Sequence, residues 1–118
     1  MKAGPQTDRV LVGHMISCIE AIDEFLGGDP ERFQQSRLVR DAVLRNLQTM
    51  TESSQRLSDA LKTSHPDVPW RALAGFRNLL VHDYLGGIDA EAVMNILRRE
   101  LGPLKSTLGV VRADLEHL

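Results

Sequence analysis

Apolar residues recur along this chain every three or four positions, and no stretch alternates convincingly with a period of two. That spacing lines one face of a helix, so the pattern predicts an all-α fold. A first helix is expected from about Thr7 to Leu26, with Val10, Leu11, Met15, Cys18, Ile19, Ile22, Phe25 and Leu26 as its stripe. Gly27-Gly28 stops it, because glycine accepts the left-handed geometry that closes a helix. Asp29-Pro30-Glu31 reads as a capping residue followed by proline in a first turn, opening a short helix through Gln35.

A long helix is expected from about Ser36 to Thr63, striped by Leu38, Val39, Ala42, Val43, Leu47, Met50, Leu57 and Leu61. Ser64-His65-Pro66-Asp67 breaks the periodicity. Asp67 can cap the next helix, with Pro69 in its first turn, and that helix runs from Trp70 to about Tyr84. Gly86-Gly87 ends it, Asp89 caps a helix over Ala90 to Leu101, and Gly102-Pro103 starts or kinks a last one reaching about Glu116. The expected architecture is an up-and-down bundle of four to five main helices with short connections.

Composition narrows the picture without redirecting it. The 118 residues suit one domain spanning 1–118, with a single hydrophobic core. Lys and Arg number 14 against 16 Asp and Glu, a net charge of −2, so any nucleic-acid contact would have to come from a local basic feature. Aromatic residues make up only 4%, too few for a surface of base-stacking platforms. Cys18 stands alone and cannot form an internal disulfide, which suits a reducing compartment; on an apolar stripe it reads as a buried, inert thiol. No apolar run reaches the ~18 residues of a membrane span, and MKAGPQTDR lacks a signal peptide's apolar segment. A cytoplasmic location is expected.

Candidate chemistry concentrates in RNLLVHDY, residues 77–84, where polar and titratable groups enter an apolar helical run. Burying them costs free energy unless a partner or a solvated cleft relieves it. Asn78 lies one turn before His82 and can orient its imidazole, while Arg77 and Tyr84 are seven apart and nearly superposed. Arg77 and His82 are separated by about 140° of rotation and ~7.5 Å of rise, so a site using both suits completion by a second helix. The residues alone leave two readings open, a packed polar network and a working cleft. For the second, histidine moves protons near neutral pH and arginine stabilises charge on phosphate, which together suit RNA cleavage by the ribose 2′-OH. The four histidines are scattered and no HExxH, paired Cys/His, phosphate-loop or serine-hydrolase motif occurs, so neither metal nor cofactor is expected. Arg98-Arg99 and Lys105 read as a solvated face rather than an RNA track.

The motif resembles the Arg-x4-His-x-Tyr signature of HepT-like proteins in the HEPN superfamily. The resemblance extends through RDAVLRNLQTMTESSQRLS, HPDVPWRALAGF and LGGIDAEAVMNIL, in order and over most of the chain. It implies a homodimer whose two motif helices flank a shared cleft, and a metal-independent ribonuclease toxin acting on transfer or messenger RNA. It also implies a small nucleotidyltransferase antitoxin as partner. By the same resemblance, Arg77 would contact the scissile phosphate, His82 would be general acid/base and Asn78 would support it. Tyr84 would be the tyrosine that the partner adenylylates. Asp83 stands where relatives often have glycine, and Glu52 keeps an acidic position within TMTESS. The alternative is a non-catalytic subunit presenting substrate or nucleotide to a nucleotidyltransferase, which would need the dimer and the cleft but not the histidine chemistry.

Overall fold

The computed structural model describes residues 4–86 and 89–117, with side chains for all of these except positions 5 and 81–86. Among them every regular element is helical: α1 (Pro5–Leu26), α2 (Arg32–Gln35), α3 (Arg37–Arg56), α4 (Asp59–Ser64), α5 (Trp70–Gly86), α6 (Ala90–Asn95) and α7 (Leu101–Glu116). A π-helical turn, Ile96–Glu100, joins α6 to α7 without a break. Four long helical segments and two short ones therefore carry the fold.

Three contacts set the direction of the central pair. Asp8 meets Ser58, His14 meets Ser53 and Cys18 meets Thr49, so α3 descends as α1 rises. Arg9 donates to the Leu115 carbonyl and Lys105 approaches Glu20 and Asp23, which runs α7 antiparallel to α1 on another side. The second face of α3 receives α5. The core lies between these helices, with Met15, Ile22, Leu47, Met50, Leu73 and Leu108 fully buried.

Periodicity found α1 and α5 to within a few residues, and local chemistry accounts for most of the ends. Gly27 takes the left-handed conformation at φ 57° and returns its N–H to the Asp23 carbonyl. Asp89 caps α6 by accepting from the Ala92 N–H, as its position suggested. Val10 and Leu38, both expected on buried stripes, are exposed: each lies roughly 140–180° around its helix from the core-facing residues Met15 and Leu47.

The expected helix from Ser36 to Thr63 is in fact two, α3 and α4. Ser58 is the reason. Its backbone turns extended at ψ 152°, and its hydroxyl caps α4 by accepting from the Leu61 N–H. The buried Asp8 carboxylate accepts from both the Ser58 N–H, at 2.9 Å, and its hydroxyl, at 2.5 Å. Leu57 and Leu61 are buried on either side of the break, so the apolar stripe passes through it unmarked.

Asp29 and Pro69 also depart from expectation. Asp29 does not cap α2; its side chain accepts from the Glu31 N–H in a turn, and α2 starts at Arg32. Pro69 precedes α5 rather than lying in its first turn, and its carbonyl accepts the Leu73 N–H. The expected break at Gly102-Pro103 becomes the π turn, in which the Leu101 N–H reaches the Ile96 carbonyl. Pro103 has no N–H for the Arg99 carbonyl and its ring crowds that turn, so widening the preceding turn keeps the helix continuous.

Candidate functional site

Helix α5 is unbroken from Trp70 to Gly86, so register alone places every residue of the motif around its axis. Leu73 and Leu80 face the core, with Trp70, Phe76 and Leu79 half-buried beside them. Arg77 and Asn78 are exposed, and no hydrogen bond or ion pair joins either side chain to another described residue. Toward the described residues, neither side chain enters a packed polar network.

Positions 82 and 84 belong to the same helix, but the side chains of His82 and Tyr84 lie outside the described residues, as does that of Asp83. Register puts position 82 one turn beyond Asn78 and about 140° around from Arg77, while position 84 stacks two turns beyond Arg77. A single α5 presents the motif's arginine and histidine positions to different sides.

The start of α5 is held from two directions. Trp70 Nε1 donates to the His65 carbonyl at 3.0 Å, and Val68 is buried just ahead of it. The His65 ring lies between the Leu61 carbonyl, 3.1 Å from Nδ1, and the Asp114 carboxylate, 2.9 Å from Nε2. His65 therefore links the end of α4, the C-terminal turns of α7 and the start of α5. In the sequence it signalled only a residue before proline; the clue was an indole five positions later, close enough to return to its carbonyl.

Elsewhere polar groups serve packing. Cys18 is free and buried, as its stripe position suggested, between His14 Nε2 at 3.6 Å and Thr49 Oγ1 at 3.4 Å. His14 Nδ1 is 2.7 Å from Ser53 Oγ. Arg98 pairs with Glu31, and Lys105 lies near Glu20 and Asp23, so two of the downstream cations are engaged with carboxylates. Among the described residues no three His, Cys, Asp or Glu side chains gather as a metal site would require. No helix of the described residues is long and apolar enough to cross a membrane.

Comparison with known proteins points the same way as the motif. The model of the HepT-like ribonuclease family matches residues 15–111, which include all of α3, α4 and α5. "Probable ribonuclease HepT" of Thermococcus cleftensis is 30% identical over 95 residues, covering 80% of this chain and 86% of its own. "Putative RNase MJ1380" of Methanocaldococcus jannaschii is 30% identical over 83 residues, covering 70% of this chain and 75% of its own. No solved structure matches the chain. A bundle whose one polar-studded helix carries Arg-x4-His-x-Tyr, within a match of this extent, places the chain in the HepT-like ribonuclease family.

Proposed function

We propose that this protein is a metal-independent endoribonuclease, the toxin of a toxin–antitoxin pair, working as a homodimer with a cleft between two copies of α5. The observation that carries the reading is the complete Arg77, Asn78, His82 and Tyr84 set on one unbroken helix, inside the family match, with Arg77 and Asn78 exposed.

The chemistry follows from the residue types. The ribose 2′-OH attacks the adjacent phosphorus, forming the O2′–P bond while the P–O5′ bond breaks. A proton leaves the 2′-OH and another must reach the departing 5′-oxygen; an imidazole near neutral pH can carry either. We assign that proton transfer to His82, oriented by Asn78 one turn earlier. The Arg77 guanidinium supplies paired donors to the phosphate oxygens, where charge builds in the transition state. Because register separates the two positions by about 140°, the dyad brings Arg77 of one copy toward His82 of the other.

Tyr84 is the control point in this reading. Its phenol oxygen attacks the α-phosphorus of ATP in the antitoxin's site and pyrophosphate leaves. The resulting AMP adds bulk and negative charge on the same side of α5 as Arg77, where it competes with RNA phosphate.

The test is incubation of purified protein with total RNA in the presence of a chelator. Cleavage by the wild type and none by His82→Ala, with both folded, supports the assignment; equal cleavage by the two overturns it. Co-expression with a minimal nucleotidyltransferase, followed by mass analysis of the peptide carrying Tyr84, tests the partnership.

A further inference from the structure

The stripe that leads to position 82 begins well before the motif. Arg71, Gly75, Asn78 and position 82 follow one another at intervals of four, three and four residues, which keeps them within about 60° of one line along α5. The three described members are all exposed. Arg71 makes no hydrogen bond or ion pair with another described residue through its side chain. From Trp70 to Leu80 the helix carries two arginines and no carboxylate, in a chain of net charge −2.

Gly75 is the second, independent feature. A Cβ added there would meet no described atom within 4 Å, as also at the helical Gly13, Gly102 and Gly109, so packing against the described residues does not require a glycine. Glycine in a helix interior is unfavourable relative to alanine. Its position, open between the exposed Arg71 and the motif, suits the close approach of a ligand backbone.

We infer that Arg71 and Gly75 extend the RNA-binding surface along α5 for about 16 Å from position 82, Arg71 holding a phosphate several nucleotides from the scissile bond and Gly75 giving the strand room to lie against the helix. The partner chemistry is a single-stranded polyanion, held through its phosphate backbone. This rests on the nuclease reading of α5 but concerns binding away from the reacting bond.

The test uses full-length protein and a fully 2′-O-methylated RNA oligonucleotide, which lacks the attacking hydroxyl and cannot be cut. Arg71→Ala should weaken binding about tenfold, as loss of one charge-assisted contact does. It should also flatten the dependence of log affinity on log salt by about 0.7, one phosphate's worth for a single strand. Arg71→Lys should recover the salt slope. Gly75→Ala should raise the melting temperature while weakening binding, two directions that a purely structural glycine would not combine. Arg112→Ala, which removes an exposed arginine from α7, should leave the slope at its wild-type value.

An unchanged slope in Arg71→Ala overturns the inference, as do equal losses from Arg71→Ala and Arg112→Ala, or no binding by the wild type. Dissociation of a dimer by Gly75→Ala, with the RNA slope intact, also overturns it. Cleavage of ordinary RNA is scored separately. A wild type that cuts, with a slope indifferent to Arg71, refutes the extension alone; one that binds through Arg71 without cutting refutes the catalytic reading alone.

Discussion

The α1/α3 pair and helix α5 handle polar residues in opposite ways. Between α1 and the segment running from α3 into the α4 cap, Asp8, His14 and Cys18 each find a partner across the seam, and Asp8 and Cys18 are buried. On α5, Arg71, Arg77 and Asn78 find none among the described residues and stand in solvent. Polar groups of the first kind specify the fold, since a buried donor or acceptor left alone costs more than the bond it lost. Those of the second kind contribute little to folding and remain available for a ligand.

That contrast can be broken by experiment, and the largest effect should come from α5. His82→Ala is expected to lower RNA cleavage by about 10²–10⁴-fold, as removal of a general acid/base does, with the far-UV dichroism spectrum unchanged. In the core, Leu47→Ala should cost about 2–5 kcal/mol of stability by urea titration, because its site is fully buried. Asp8→Ala should cost about 2–3 kcal/mol, leaving the half-buried Ser58 N–H and hydroxyl without their carboxylate. The folded fraction of that variant should keep its turnover. Ser36→Ala, which removes the α3 cap to the Val39 N–H, should cost about 1 kcal/mol. The smallest change in stability belongs to Arg77→Ala, within about 0.5 kcal/mol, although its cleavage should fall steeply. A substantial loss of stability in Arg77→Ala would place that residue with Asp8, and the division between the two regions would fail.

The all-α class was legible because period alone decides it, and glycine or a short capping side chain marked Gly27 and Asp89. The break at Ser58 was not. Leu57 and Leu61 continue the stripe across it, and the group that turns the backbone there is a carboxylate fifty positions earlier. Pro103 announced a disturbance, but whether it ends a helix or widens one turn depends on the packing of Ile96, Leu97 and Leu101 against the core. The candidate site divides likewise. Its residue types and their order are local and were plain, whereas the exposure of Arg77 depends on which neighbours leave α5 uncovered. The stripe through Arg71 and Gly75 carries no signal in the sequence, since a lone surface arginine and a helical glycine each have ordinary explanations.

Trp70 is the chain's only tryptophan, and its indole bridges to His65 at the point where α5 is seated. Intrinsic fluorescence therefore supplies an unlabelled reporter of that joint, free of background from other indoles. A shift in emission ahead of the loss of helical dichroism during denaturation would mean that α5 leaves its seat before the bundle melts.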